Sequence, residues 1–260
     1  MELEQNAAEF KARGYNVAAL SYDSPAVLKH FADRAKITYP LLSDPESKVI
    51  RAFGIFNDKA PPKSFAYGVP YPGTYLIDRG GKVISKYFED DYTERDTASA
   101  ILVRQFGAAS GASHTTVESK YLTLSSSASA RAVRPGQHIE LVLDIELKPH
   151  MHVYAPGVQE GYKPIEWNVP GAAAPVFPPS ETILFAVLNE RLPVYTGKLR
   201  LVRDLTIAKD APKALTVEGE FLYQACDDSA CYMPVRVPLK WTFAVESFDR
   251  ERAPADLRHK

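Results

Sequence analysis

Residues 138–148 have the sequence HIELVLDIELK, and this stretch decides the fold of the longer part of the chain. Apolar side chains occupy every second position, at Ile139, Leu141, Leu143, Ile145 and Leu147. The positions between them include the acidic residues Glu140, Asp144 and Glu146. Because successive side chains of a strand point to opposite faces, this period of two predicts a β-strand with one buried face.

The same alternation returns further along the chain, in LTVEGEFLYQ (215–224) and VRVPLKWTF (235–243). Prolines and glycines interrupt the segments between such stretches, and no helical pattern occurs between residues 115 and 247. Several short alternating strands over about 130 residues are typical of an immunoglobulin-like β-sandwich. The sequence therefore predicts an all-β domain at 115–247.

The first hundred residues follow a different pattern, in which helical and strand segments alternate. Leu3, Ala7 and Phe10 recur at helical spacing, and YNVAALSYD (15–23) predicts a buried strand. A second helix is predicted after Ser24, a favourable N-cap residue that is followed by proline at the first helical position. This part of the chain is therefore predicted to be α/β.

Further segments complete the α/β part. PESKVIRAFGI (45–55) predicts a short helix that ends at Gly54. GTYLIDRGGKVISKYF (73–88) predicts two strands around a Gly-Gly turn, and TERDTASAILVRQF (93–106) predicts a closing helix. A helix of an α/β domain normally follows a parallel strand, yet none precedes the first helix here.

Composition and charge argue against several kinds of partner. Lys plus Arg (31) nearly balance Asp plus Glu (32), so neither nucleic acid binding nor attraction to an anionic membrane is indicated. The sequence has no run of about 18 apolar residues that would cross a bilayer, and the charged N-terminus MELEQNAAEFKARG is unlike a signal peptide. Neither a dinucleotide fingerprint nor a phosphate loop occurs, so no organic cofactor is predicted.

The only two cysteines, Cys226 and Cys231, lie in FLYQACDDSACYMPVRVPL (221–239), at the predicted tip of a β-hairpin. The strands on either side would bring them within disulfide distance. Such a bond would close a loop of about six residues and stabilise the fold by only roughly 2 kcal/mol. This small structural gain favours a redox role, and a structural disulfide stays open as an alternative.

A metal site is a third alternative for the cysteines. His150 and His152 in PHMHVY (149–154) are predicted on one side of a strand and could complete a zinc site, but this spacing is common by chance. Asp227 and Asp228 follow the first sulfur, and nearby negative charge disfavours a thiolate. The pair is therefore predicted to be attacked by a partner or to pass electrons to it; the alternative for the aspartates is a solvated loop tip.

Residues 115–247 resemble the N-terminal periplasmic domain of the thiol:disulfide interchange protein DsbD. The resemblance is carried by HMHVYAPG (150–157), VYTGKLRLVRDLTI (194–207) and YQACDDSACYMPVRVPL (223–239). It implies an immunoglobulin-like fold and a reversible disulfide that relays reducing equivalents to thioredoxin-like or other thiol-disulfide exchange proteins outside the cytoplasm. Cys226 and Cys231 inherit the redox roles. Four residues flank them: Tyr223, Asp227, Asp228 and Tyr232.

The same resemblance implies a cap loop that shields the disulfide. Its residues here lie in LPVYTG (192–197) and are Leu192, Pro193, Val194 and Tyr195. Val194 stands where the family pattern has an aromatic residue, and the loop between the cysteines is a residue shorter than in that pattern. Shielding by an aromatic ring is therefore not implied for this chain.

Residues 1–107 resemble the thioredoxin-like alkyl hydroperoxide reductase/thiol-specific antioxidant (AhpC/TSA, redoxin) family. The resemblance is carried by residues 10–55 and by YPGTYLIDRGGKVISKYF (71–88). It implies that Pro72 is the proline that is cis in thioredoxin folds; the alternative is an ordinary proline at the entry of a strand. The cysteine of the family and the strand before it have no counterpart here, so we expect the coding sequence to continue upstream of Met1.

The predicted architecture is α/β followed by all-β. It comprises an incomplete thioredoxin-like fold at 1–107 that lacks its first strand, a linker at 108–114, an immunoglobulin-like sandwich at 115–247 and a charged tail at 248–260 that is expected to fray. The predicted function is thiol-disulfide exchange through Cys226 and Cys231. The alternatives are a peroxiredoxin-like antioxidant whose catalytic cysteine lies upstream, and a non-catalytic binding module with a structural disulfide.

Overall fold

The structure is a computed structural model that describes residues 2–64, 66–88, 91, 93–108, 112–185 and 189–257. The chain divides into two compact units, one formed by Met1–Leu102 with Ser247–Lys260 and the other by Val103–Glu246. Residues 109–111 of the predicted linker and 258–260 of the predicted tail lie outside the described residues. The exact domain bounds of the sequence analysis stay a prediction.

The first unit contains short helices and strands in mixed order. They are α1 (Glu2–Ala12), β1 (Ala19–Ser21), α2 (Pro25–Ala35), β2 (Leu41–Ser43), α3 (Lys48–Ala52), β3 (Gly73–Ile77), β4 (Val83–Phe88), β5 (Arg95–Asp96) and the start of α4 (Ala98–Phe106). Helix α2 begins as predicted, since the Ser24 hydroxyl accepts a hydrogen bond from the Val27 backbone N–H. Strands β3 and β4 form the predicted antiparallel pair.

The predicted buried strand at 15–23 is shorter and more exposed than expected. Only β1 is extended there, and it pairs in parallel with β2, which the sequence analysis missed because the segment Leu41–Ser43 is too short for a clear pattern. Leu20 of β1 is 36% exposed and Leu42 of β2 is 50% exposed. Among the described residues these strands form a two-stranded ribbon, and such a ribbon covers only part of its apolar side chains.

The predicted closing helix is present with a later start, whereas the prediction of a cis bond before Pro72 was wrong. The closing helix begins at Ala98 and not at residue 93, because the Thr97 hydroxyl caps it by accepting a hydrogen bond from the Ala100 N–H at 3.1 Å. The peptide bond before Pro72 is trans, as are all described peptide bonds. Trans is the intrinsic preference of X–Pro bonds, and the Tyr71 N–H is held at 2.8 Å from the Ile55 carbonyl in this conformation.

The charged tail, which the sequence analysis expected to fray, contacts the first unit over its described residues. Arg34 of α2 pairs with Asp249 at 2.7 Å and with Glu251 at 3.0 Å. The guanidinium of Arg95 lies 5.9 Å from the centre of the Phe248 ring. Ion pairs between exposed side chains are individually weak, so fraying of the tail stays a prediction.

The second unit is built from strands. They are β6 (Ala112–Glu118), β7 (Leu122–Ala128), β8 (Ala132–Val133), β9 (Gln137–Leu147), β10 (His152–Tyr154), β11 (Glu166–Asn168), β12 (Glu181–Phe185), β13 (Glu190–Thr196), β14 (Lys198–Thr206), β15 (Ala214–Tyr223), β16 (Ala225–Cys226) and β17 (Val235–Val245). All the secondary-structure elements described between residues 115 and 247 are strands, which confirms the all-β prediction. No helix in the described part of the chain is long and apolar enough to span a membrane.

Three sheets share the core of this unit. Their strand orders are β14-β9-β7-β6, β11-β15-β17-β8 and β12-β13-β10-β16. Strand β9, which covers most of residues 138–148, has its predicted apolar face buried. Its other face is also partly covered, because Val142 is fully buried and Glu140, at 1% exposure, accepts a hydrogen bond from Arg104 at 2.7 Å. The third sheet contains the cysteine site.

Candidate active site

The chain leaves one sheet and enters another at the first cysteine. Strands β15 and β17 form a long hairpin whose last pair is Tyr223 with Val235. Directly after Tyr223, the two residues of β16 pair instead with β10, so that Cys226 lies opposite His152. The predicted hairpin is therefore present, and its tip is held both by the third sheet and by further pairing within the hairpin, where the Tyr232 N–H donates a hydrogen bond to the Ala225 carbonyl and Cys226 lies opposite Cys231.

The two cysteines form a disulfide, and the two residues differ in exposure. Cys226 and Cys231 are bonded, with their Cα atoms 4.0 Å apart, and the chain has no other cysteine. Cys226 is 1% exposed because its strand lies within the sheet, whereas Cys231 is exposed at the end of the loop. Cys231 is therefore the cysteine that is more accessible to a thiolate from solution.

Asp227 organises the loop between the cysteines. One carboxylate oxygen accepts hydrogen bonds from the Ser229 N–H, the Ser229 hydroxyl and the Ala230 N–H at 2.7–2.8 Å. The other accepts a hydrogen bond from the Tyr232 hydroxyl at 2.7 Å. These hydrogen bonds hold the pKa of Asp227 well below its ordinary value, and the hydrogen bond to Asp227 raises the pKa of Tyr232.

Asp228 and the two flanking tyrosines have different surroundings. Asp228 is exposed at the loop tip, as the solvated-tip alternative predicts. The Tyr232 ring packs 4.7 Å from the Tyr121 ring, and the Lys120 ammonium lies over both rings. Tyr223 is 1% exposed in the main core, so it flanks the disulfide in sequence only. Sequence reasoning missed Lys120 and Tyr121, because nothing near them in the chain points to the cysteines.

The residues predicted as a cap loop form a strand instead. Leu192, Pro193, Val194 and Tyr195 lie in β13, which pairs with β10 on one side and β12 on the other. Leu192 and Val194 are buried in a cluster with Tyr154 and Cys226, and alternate residues point to the opposite face, where Tyr195 joins the main core. Two neighbouring ladders satisfy the backbone of this segment, which explains why it is extended.

Tyr154, Tyr162 and Glu190 form a connected group that begins at the disulfide. The sequence analysis had not selected these residues. The Tyr154 hydroxyl lies 3.6 Å from the Cys231 sulfur. The Tyr162 ring lies 4.8 Å from the Tyr154 ring, and its hydroxyl donates a hydrogen bond to Glu190, which raises the pKa of Tyr162 to about 12. Tyr154 lies in the quoted stretch HMHVYAPG, whereas no local pattern distinguishes Tyr162 or Glu190.

The two histidines proposed as metal ligands do not share a side of a strand. His150 is exposed in a turn with φ +65°, and strand β10 begins only at His152, which is 5% exposed. No group of three or more His, Cys, Asp or Glu residues in the described part of the chain is arranged to hold a metal ion. Burial lowers the pKa of His152 despite the opposing charges of Asp228 and Asp227, so its imidazole is neutral at pH 7.

Comparison with known proteins agrees with both resemblances. Residues 1–86 match the model of the AhpC/TSA family, and residues 120–239 match that of the thiol:disulfide interchange protein DsbD, N-terminal. The two parts of this chain resemble two different redox families. The redoxin-like part precedes the DsbD-like part, and the match to the latter includes both cysteines and the segment 192–195.

Curated relatives match the redoxin-like part. A Mycobacterium tuberculosis protein named as a peroxiredoxin is 34% identical over 83 residues, which are 32% of this chain and 52% of that protein. Peroxiredoxin Bcp of Escherichia coli is 32% identical over 104 residues, which are 38% of this chain and 62% of that protein. The chain thus spans between half and two thirds of the length of these relatives.

Solved structures were also compared. The N-terminal periplasmic domain of ScsB from Proteus mirabilis is 15% identical, with a TM-score of 0.36 over 55% of this chain and 53% of that one. The Neisseria meningitidis DsbD N-terminal domain in the reduced form is 15% identical, with a TM-score of 0.31 over 40% of this chain and 77% of that one. These scores are too low to carry an argument, and the resemblance rests on the family models.

Proposed function

We propose that this protein is a thiol-disulfide oxidoreductase whose Cys226–Cys231 bond relays reducing equivalents to or from a thioredoxin-like partner. The observation that carries the proposal is the unequal exposure of the two cysteine residues, with Cys226 at 1% and Cys231 exposed. A structural staple has no need of an accessible sulfur, whereas exchange requires one. The match of residues 120–239 to the DsbD N-terminal family supports the same reading.

The reaction starts at the exposed sulfur. A partner thiolate attacks the Cys231 sulfur, the Cys231–Cys226 bond breaks, and the electron pair goes to the Cys226 sulfur. A second partner thiolate then attacks the partner's own sulfur in the mixed disulfide and releases Cys231. The partner dithiol becomes a disulfide, and this protein gains two electrons and two protons. The Tyr154 hydroxyl, 3.6 Å from the Cys231 sulfur, is placed to donate a hydrogen bond to the Cys231 thiolate.

The fold and location belong to the same proposal. The element order and the AhpC/TSA match support an incomplete thioredoxin-like fold for the first unit, and the strands of the second unit support an immunoglobulin-like sandwich. The second unit matches the DsbD N-terminal family, the resemblance that implies a periplasmic domain, and disulfides persist in oxidising compartments. We therefore place the protein outside the cytoplasm. Residues 1–102 contain no cysteine, so the exchange chemistry lies in the second unit.

Trapping with matched cysteine variants tests the proposal. The Cys226→Ser variant of the 260-residue chain keeps the exposed Cys231 thiol, which can attack the disulfide of an oxidised thioredoxin-like protein. It is expected to accumulate the mixed disulfide, because in this direction Cys226 is the sulfur that would resolve it. Cys231→Ser keeps only the buried thiol and is expected to trap little. Non-reducing electrophoresis with mass spectrometry measures both. Equal trapping by the two variants contradicts attack at Cys231, and no trapping by either contradicts the relay.

A further inference from the structure

The side chain of His152 adjoins the buried sulfur of the disulfide. Strands β10 and β16 pair with His152 directly opposite Cys226. Residues directly opposite each other in an antiparallel pair place their side chains on the same face, with Cβ atoms about 4.5–5.5 Å apart. This is the face on which Cys226 packs against Tyr154, Leu192 and Val194.

The imidazole of His152 is enclosed and lacks a hydrogen-bond partner at one nitrogen. Its ring centre lies 5.7 Å from that of Tyr154 and 5.0 Å from that of Phe185, and the residue is 5% exposed. The Nε2 atom is buried and makes no hydrogen bond with any described residue. Buried polar atoms are nearly always paired, so an orphaned nitrogen beside a redox-active bond calls for a partner that exists in another state.

Reduction of the disulfide creates such a partner. A bonded sulfur carries no proton, but a free Cys226 thiol offers an S–H donor, and a free thiolate is an acceptor. The Cys226 sulfur would be released into an apolar cluster, where an unpaired polar group is costly. In the reduced protein, the Cys226 sulfur needs a hydrogen-bond partner and Nε2 of His152 can be that partner. In the oxidised protein, the bonded sulfur has no proton to donate to Nε2.

We propose that His152 is a positioning residue that hydrogen-bonds the Cys226 sulfur in the reduced protein and thereby favours reduction of the disulfide. The inference rests on the proposed function. It adds which residue stabilises the buried Cys226 sulfur after the disulfide is reduced. The partner dithiol gives up two electrons and two protons, Cys226 and Cys231 become thiols, and Nε2 accepts the hydrogen bond from the Cys226 S–H. Because the bond exists in one redox state only, it enters the equilibrium constant for reduction directly.

The test compares three variants of the full chain, in which the two cysteines are the only thiols. His152→Phe keeps a ring and removes the nitrogen, whereas His152→Gln keeps a hydrogen-bond acceptor, its side-chain carbonyl oxygen, at a similar distance from the backbone. Ser126→Ala is the matched control, because the Ser126 hydroxyl is also buried without a partner but lies in β7, in a different sheet from the disulfide. Equilibrium constants are measured in glutathione or dithiothreitol buffers by alkylation and mass spectrometry.

We expect His152→Phe to lower the equilibrium constant for reduction about three- to tenfold, the range of one hydrogen bond. His152→Gln is expected to stay close to the unsubstituted protein, and Ser126→Ala to match it. A residue that only packs would change both redox states equally and leave the constant unchanged. An unchanged constant in His152→Phe, or an equal loss in His152→Gln, overturns the proposal.

A second measurement covers the case in which His152→Phe does not fold. The ¹⁵N resonance of Nε2, assigned by its loss in His152→Gln, should shift between the oxidised and reduced forms of the unsubstituted protein. The absence of a shift also overturns the inference. Failure of the relay is seen separately, because Cys226→Ser would trap no partner, while dithiothreitol still reduces the accessible bond and reports on His152.

Discussion

At the scale of single residues, the environments of the two acidic residues beside Cys226 differ although they are adjacent in sequence. Asp227 accepts hydrogen bonds from two backbone N–H groups and two hydroxyls, whereas Asp228 is exposed. Asp227 therefore fixes the position of the residues between the cysteines. The sequence indicated that the negative charge of Asp227 acts on the sulfurs. It did not reveal that Asp227 also has this structural role.

We predict that Asp227→Asn lowers the melting temperature at pH 7, because a neutral amide accepts these hydrogen bonds less strongly. The pKa of Asp227 is lower in the folded protein than in the unfolded chain, so its contribution is present above about pH 4 and is lost as the pH falls below that value. The difference in melting temperature between the variant and the unsubstituted protein should shrink in acid. Asp228→Asn is the control, and an equal effect of both substitutions would contradict the assignment.

At the scale of elements, the segment 192–195 shows how pairing overrides a loop expected from resemblance. Strand β13 is hydrogen-bonded on both edges, and Val194 is fully buried against Tyr154 and Cys226. Strand β13 thus packs against the Cys226 side of the disulfide, at the positions where the resemblance implied a loop. Cys231 itself is exposed, which agrees with attack at that residue.

The strand assignment predicts that Val194→Phe destabilises the second unit by about 1–3 kcal/mol, since extra volume in a packed core forces strain. A cap loop would accept the aromatic residue at little cost. Arg191→Phe places the same ring at an exposed position of the same strand and should change the free energy of unfolding by only about 0.5 kcal/mol. Chemical denaturation followed by tryptophan fluorescence measures both, and a Val194→Phe variant as stable as Arg191→Phe would support the loop.

At the scale of the whole molecule, the second unit has a core that does not depend on the disulfide. Its three sheets bury a continuous cluster that includes Trp241, Phe221 and Leu143, and the disulfide closes a loop at one end of the unit. Both tryptophans of the chain, Trp167 and Trp241, lie in this unit, so their fluorescence reports its unfolding separately from that of the first unit.

Reduction is therefore expected to weaken the second unit without unfolding it. The loop-closure estimate predicts a loss of roughly 2 kcal/mol, which is smaller than the stability typical of a domain. Urea unfolding should give one cooperative fluorescence transition for the oxidised chain and one for the reduced, alkylated chain. The transition of the reduced chain should lie at a lower urea concentration. Collapse of the reduced chain in the absence of urea would instead indicate a structural staple.

The sequence by itself determined the elements whose signals are local. The alternation in 138–148 and 235–243 fixed strands β9 and β17, Ser24 and Pro25 fixed the start of α2, and the cysteines were correctly placed at the tip of a hairpin. Side-chain period and capping are properties of neighbouring residues, so they can be read without the rest of the fold. The three-residue strand β2 lacked enough residues to show any period.

Only the tertiary structure decided the chemistry of the site. The burial of Cys226, the exposure of Cys231 and the position of His152 all follow from the pairing of β16 with β10, two strands more than 70 residues apart in the chain. The trans bond before Pro72, the extended segment 192–195 and the contact of Tyr162 with Glu190 likewise depend on partners distant in sequence. Local preference specifies which residues can be extended, whereas strand pairing, a long-range choice, specifies what each side chain meets.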